Sequence, residues 1–268
     1  MSNQSLITRE AILKTLRDAL EPLDYVQAMW EGGAAAFKRV DEWSDIDLQI
    51  DADDDRVADV VEIAERALTS LAPIAVKYDF PQPTWHGHWQ TFYQLSNTSP
   101  FLLLDFVVIK HSNPLKFLQP EIHGRALVHF DKSGVVQAPP LDREAFVARI
   151  KGRLETLRIT FPLVQTLILK EIYRQNSIEA LSFYHGFTLR PLVEVLRIKY
   201  CPIRYDFHTR YVYYDLPSEI VRKLETLYFI ANLDELREKH EDAERWFHET
   251  REQIDILGWE SLSGDSSL

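Results

Sequence analysis

The chain of 268 residues contains a single cysteine, Cys201. An internal disulfide is therefore excluded. No apolar run approaches the roughly 18 residues that a membrane-spanning helix requires, so no membrane partner is expected. The first residues, Met-Ser-Asn-Gln-Ser, have neither the basic stretch nor the apolar core of a secretory signal, and the expectation is a cytoplasmic protein. Bases are also in deficit, 30 Lys and Arg against 41 Asp and Glu, for a formal net charge of −11. A protein that grips nucleic acid needs a basic stripe along the phosphates; none is expected as a partner here. From Asn232 onward there are eleven acids and only four bases. That balance favours a small, cationic acceptor at the encounter stage, although solubility accounts for the tail equally well. Core-forming material is not lacking, since 46% of residues are hydrophobic and 26% charged, the mix of a globular protein with room for two modest domains.

The stretch from Trp30 to Ile50 carries the chemistry. Gly32 and Gly33 follow an apolar segment, Tyr25 to Trp30, and precede Ala34-Ala35-Ala36-Phe37-Lys38-Arg39. A strand that turns sharply into a helix N-terminus offers backbone amides to phosphate, with Lys38 and Arg39 close by. Twelve positions after Gly33 comes Asp45-Ile46-Asp47-Leu48-Gln49-Ile50. Its alternation predicts a half-buried strand with both carboxylates on one face. Two carboxylates on one rigid face suit Mg²⁺, which is held by one or two carboxylates together with substrate phosphates. A third acid, Asp105, lies within the apolar run Phe101 to Ile109. A charge in a run whose pattern predicts burial requires a partner or a metal.

Around this centre the pattern predicts an α+β chain: a mixed sheet flanked by helices, then a helical bundle. Thr8 to Leu20 has helical spacing with Thr8 as cap and Pro22 as stop; Tyr25 to Trp30 and Asp45 to Asp51 are strands, with a short helix from Ala34 to Val40 between them. Asp53, Asp54 and Asp55 are expected to cap and solvate the next helix, whose apolar face runs from Val57 to Leu71. Ile74 to Tyr78, Gln90 to Leu95 and the Asp105 strand are punctuated as a hairpin array, and Arg125 to Asp131 closes the sheet. His86 and His88 have ligand-like spacing but no third soft ligand, so packing or pocket lining is the expectation. Gly134, Pro139 and Pro140 mark a linker, placing the units at 1–138 and 139–268. The second unit should contain helices over Arg143 to Leu157, Leu163 to Tyr173, Ile178 to Tyr200, Ser218 to Ala231 and Leu233 to Leu257, then a frayed tail from Gly258. Lys170, Glu171, Arg190 and the aromatic, basic segment with Arg204 and His208 are candidates for lining a cleft; the segment reads equally well as a packed connection.

The glycine pair, the spacing and the Asp-apolar-Asp-apolar strand resemble the signature of the polymerase-beta-like nucleotidyltransferase superfamily. With a helical half following, and with Asp41-Glu42-Trp43-Ser44-Asp45-Ile46-Asp47, the chain most resembles aminoglycoside and lincosamide adenylyltransferases, in particular the streptomycin 6-adenylyltransferase type. The resemblance implies two Mg²⁺ ions held by Asp45, Asp47 and Asp105, ATP as co-substrate bound at Gly32, Gly33, Lys38 and Arg39, and transfer of AMP to a hydroxyl of a small acceptor. Relatives often carry Gly-Ser and an arginine shortly after, where this chain has Gly33 and three alanines; Lys38 or Arg39 is expected to replace that arginine. Two other classes stay open: an antitoxin-like adenylyltransferase that modifies a partner protein, against which the long helical half counts, and a nucleotide-binding regulator without turnover, against which the intact acids count.

Overall fold

The computed structural model describes residues 6–137 and 140–254. The chain divides into two compact units, 1–140 and 141–268. The boundary expected between residues 138 and 139, and the tail expected from Gly258, lie outside the described residues. Among the described residues no helix is long and apolar enough to cross a membrane.

The first unit is a mixed six-stranded sheet. Helix α1 (Arg9–Leu20) opens it, and the Thr8 side chain accepts a hydrogen bond from the amide of Ala11 as its N-cap. Strands β1 (Val26–Glu31), β2 (Ile46–Ala52), β3 (Ile74–Asp79), β4 (Trp89–Leu95), β5 (Leu104–Lys110) and β6 (Leu127–Asp131) lie in the order β3-β4-β5-β2-β1-β6. β2 and β5 pair parallel and their neighbours antiparallel. Alternation along β2 buries Ile46, Leu48 and Ile50 under α1 and α3 (Val57–Leu71). The intervening residues, Asp47 and Gln49, are therefore turned to the opposite face, which is only partly covered by a small cluster of Ala28, Trp30, Val107, Ile109 and Leu118. The sheet thus has one sealed face and one that can carry polar chemistry.

Three local expectations are corrected. The helix after the glycine pair, α2, spans only Gly33–Ala36, because Lys38 takes a left-handed backbone, φ 56°, and ends it well short of Val40. Asp53 and Asp54 do not cap α3: Asp53 accepts from Gln27 at 3.2 Å, and Asp54 accepts from the Ser112 amide at 3.0 Å. They tie loops together. Arg125 to Asp131 contributes a strand only from Leu127, after the short helix α4 (Pro120–His123).

The second unit is helical throughout. α5 runs unbroken over Arg143–Tyr173, where two helices were expected around Pro162. Leu157, Phe161, Ile168 and Ile172 all lie buried in one core on either side of the proline, while Pro162 itself is exposed; a shared apolar face outweighs the missing hydrogen bond. The helix expected from Ile178 to Tyr200 is instead α6 (Ser177–Phe183), a π-helical stretch (Tyr184–Leu189) and α7 (Arg190–Tyr200). Buried Gln165 explains the interruption: its amide donates to the Phe187 carbonyl at 3.0 Å, and its carbonyl accepts from Thr188 Oγ1 at 2.6 Å and from His240 Nε2 at 3.1 Å. A short 3₁₀ turn (Pro202–Arg204), α8 (Val212–Asp215), α9 (Ser218–Tyr228) and α10 (Leu233–Glu252) complete the unit.

His240 is fully buried, and burial lowers its pKa to about 4. The unfolded chain therefore binds a proton that the folded chain refuses between about pH 6.5 and 4. The stabilising contribution is whole above pH 6.5 and is lost as pH falls toward 4. His88, also buried and lowered to about 4, acts with the same sign. The urea midpoint of the full chain is expected to fall from pH 7 to pH 4.5, and His240→Gln should make that fall shallower; an unchanged slope would remove His240 from the account.

Candidate active site on the open sheet face

The site starts at the entry to β2. The Asp41 carboxylate accepts from the Trp43 amide at 3.1 Å and from Ser44 Oγ at 2.7 Å, closing the turn that delivers Asp45 to the mouth of the strand. Arg9 of α1 fastens that mouth from the sealed face, donating to the Asp45 carbonyl and pairing with Glu31. Glu31, 1% exposed, also meets His129 Nε2 at 2.9 Å. Asp45 is positioned by this framework, two residues ahead of Asp47 in the same alternation.

Asp47 and Asp105 are direct partners in the parallel register of β2 and β5. Partners in a parallel pair project to the same face, so two acids 58 positions apart in sequence share one spot. Asp105 is half-buried, on the face opposite Phe106 and Val108. Its pKa is raised to about 6: burial is the main cause, the hydrogen bond from Gln90 acts against it, and the charge of Asp45 adds to it. All three acids are thus brought to one end of the open face, with Asp45 felt electrostatically by Asp105.

Gln90 is the residue that the sequence did not reveal. Its Nε2 donates to both oxygens of Asp105, at 2.9 and 3.0 Å. Its register partner on β5 is Val107, two residues from Asp105, so strand pairing rather than sequence proximity brings it there. The only local signal was a polar residue alternating with Trp89 and Thr91. His86, whose pKa is lowered by burial, is adjacent and feels the Gln90 side chain. His88 packs against the rings of His86 and Phe117 at 4.6 and 5.7 Å.

The glycine corner abuts the acids. The Gly32 amide donates to the Asp47 carbonyl at 2.9 Å. Gly33 has φ +47°, and a Cβ there would fall 1.6 Å from Asp47 Oδ2. A side chain at this position is excluded twice, by backbone and by the carboxylate. The turn beyond it consumes its own amides, those of Ala36, Phe37, Lys38 and Arg39 bonding back to Gly32, Gly33, Ala35 and Ala34. Lys38 is exposed, and the Arg39 guanidinium lies over the Phe37 ring, 5.1 Å from its centre.

Among the described residues no three His, Cys, Asp or Glu side chains are grouped closely enough to hold a metal ion among themselves. The facing Asp47 and Asp105 nevertheless fit the ordinary demand of Mg²⁺, one or two carboxylates completed by substrate phosphates and water. Gln90 leaves Asp105 lone pairs to spare, since an ionised carboxylate has about four acceptor sites. Of the candidates in the second unit, Glu171 is 3% exposed and accepts from Arg174 at 2.9 Å and Asn176 at 2.7 Å, an end-of-helix role. Arg204 pairs with buried Asp215 at 2.8 Å. Lys170 is exposed; Arg190 and His208 line a cavity of their own unit.

Gly33→Ala should lower stability by about 1–3 kcal/mol through left-handed strain and collision with Asp47. Gly32→Ala should cost far less, because its Cβ would meet only the end of the Gln49 side chain, at 3.0 Å. Equal melting temperatures for the two variants would contradict the geometry. Gln90→Leu, which strips both donors from Asp105, is expected to lower stability at pH 8 by roughly 1.5–3 kcal/mol, the worth of a hydrogen bond to a charged group.

No protein-family model and no curated protein matches the chain. Among solved structures it is similar to an aminoglycoside 6-adenyltransferase from Bacillus subtilis, with 12% identity and a TM-score of 0.34 over 96% of this chain and 92% of that one. A superposition this loose carries no residue role across.

Proposed function

We propose that the chain is a Mg²⁺-dependent nucleotidyltransferase that moves a nucleoside monophosphate, AMP from ATP, onto a hydroxyl of a small, cationic, aminoglycoside-like acceptor. The observation that supports this reading is the cross-strand pair Asp47 and Asp105 beside a glycine that has no room for a side chain. Asp45, Asp47 and Asp105 would hold two Mg²⁺ ions, which when bound neutralise phosphate charge and acidify an attacking hydroxyl. The acceptor oxygen attacks the α-phosphorus, the bond to the β-phosphate oxygen breaks, and pyrophosphate leaves. Asp105, beside the attacking hydroxyl, takes its proton. Gln90 holds that carboxylate in one orientation. The bare backbone at Gly33 makes room for the Asp47 carboxylate, with Lys38 and Arg39 as the nearest cations in sequence for phosphate. The acid excess of the chain suits a cationic acceptor.

A second reading is favoured by one observation, that no three ligating side chains stand together among the described residues: a protein that binds nucleotide and does not turn it over. Incubation with Mg²⁺ and labelled ATP, against a panel of aminoglycosides, lincosamides and cell lysate, separates these readings. Label on a small molecule supports transfer; label on a protein identifies a protein-modifying enzyme; saturable nucleotide binding without transfer identifies the regulator. Asp45→Asn and Asp47→Asn should each abolish transfer with the fold intact, and Asp105→Asn should lower the single-turnover rate while keeping nucleotide binding. Near-native turnover in either of the first two would refute the site.

A further inference from the structure

The second unit contains a cavity of about 430 Å³, within the size range of small-molecule sites. Arg153 from α5, Arg190 and Glu194 from α7, and Tyr205 and His208 from the connection that follows α7 line it. One wall is the π-helical stretch, at Gly186, where an added Cβ would meet nothing within 4 Å. Insertions of π-helix are rare and are found frequently at functional sites.

The connection is held rigidly from beneath. Arg197, 0% exposed, donates to the carbonyls of His208 at 2.6 Å, Arg204 at 3.3 Å and Arg210, and pairs with Asp215 at 2.9 Å. With its carbonyl captured, His208 sits in the left-handed region, φ 52°. Strain of that kind persists only where the surroundings impose it. The result is a preorganised loop that presents His208 over the cavity.

The formal charges of the lining sum to zero, Arg153 and Arg190 against Glu194 and Asp206, but they are unevenly paired. Glu194, 5% exposed, is gripped by the Arg153 fork at 2.5 and 2.7 Å. Arg190 has no carboxylate partner among the described residues; its Nη2 donates to His208 Nε2 at 2.9 Å. A ring nitrogen that accepts is unprotonated, and burial, then the Arg190 charge, lowers the His208 pKa. Arg190 therefore keeps its full charge and most of its five N–H donors. Asp206, exposed at the cavity, is the remaining uncompensated acid.

We propose that this cavity binds a small molecule through an oxyanion group, phosphate or carboxylate, received by the Arg190 guanidinium with Arg153 and the Tyr205 hydroxyl beside it. Planar guanidinium matches either group with paired hydrogen bonds. The site is complete within the second unit and is independent of the nucleotide reading.

The test follows arginine Nε–H resonances of the full chain by NMR in the presence of a chelator, with inorganic phosphate and succinate as separate probes. Saturating shifts of Arg190 and Arg153 with phosphate identify a phosphate site; with succinate, a carboxylate site. Arg190→Gln, an exposed position that leaves the melting temperature unchanged, should weaken the Arg153 response about tenfold or more, the scale of a lost charge-assisted hydrogen bond. Asp206→Asn should tighten binding, and Asp47→Asn should leave it as it is, so loss of the nucleotide reading does not touch this result. Shifts that only track ionic strength, as chloride would produce, persist in Arg190→Gln, or weaken in Asp206→Asn would overturn the proposal.

Discussion

The parallel pairing of β2 with β5 is the constraint on which the first unit depends. Side chains alternate with period two, so a slip of one residue between these strands would turn Asp105 into the helix-covered core and Phe106 outward. Ile46, Leu48 and Ile50 on β2 and Phe106 and Val108 on β5 are all buried in the cluster beneath α1 and α3. Their burial locks the register, at about 25 cal/mol for each square ångström of apolar surface removed from water. The acids are aligned as a consequence of the apolar residues between them, and the chemistry of one face is fixed by the packing of the other.

Much of this was legible because it is encoded in short-range pattern. Asp-Ile-Asp-Leu-Gln-Ile states its own alternation, and the Thr8 cap and the Val57 to Leu71 stripe state theirs. Asp105 announced itself as an acid in an apolar run, though alternation half-exposes it and a glutamine amide meets it, so the pattern overstated its burial. Other features depend on pairings that no local window contains. Gln90 reaches Asp105 only because β4 lies antiparallel beside β5. The left-handed turn at Lys38 and the passage of α5 through Pro162 are tertiary outcomes that override propensity. The π-helical stretch answers to Gln165, some twenty residues upstream, and could not be read from Tyr184 to Leu189 alone.

Both units handle buried polar groups in the same manner, by giving each one partners drawn from distant segments. Arg9 joins Glu31 and the end of β2; Gln90 joins Asp105; Gln165 joins the π-helical stretch and α10; Arg197 joins Asp215 and three carbonyls of one loop. A buried polar group without partners costs of order 1–3 kcal/mol, so each of these arrangements selects one conformation over alternatives that would strand a donor or a charge. Polar burial here specifies geometry more than it adds stability.

That distinction bears on the two places where the chain offers unspent chemistry. At the open sheet face, burial, with the charge of Asp45 adding to it, raises the pKa of Asp105 to about 6, an unfavourable arrangement that a cation would relieve. In the second unit, Arg190 has no carboxylate partner among the described residues, while two of the three guanidinium nitrogens of its neighbour Arg153 are engaged with Glu194. In each case a framework, strand register in one and the Arg197 clamp in the other, holds the charged groups in place. A folded chain sustains such electrostatic frustration only by packing elsewhere, and frustration held by rigid supports is what a ligand of opposite charge can convert into binding free energy without first ordering its site.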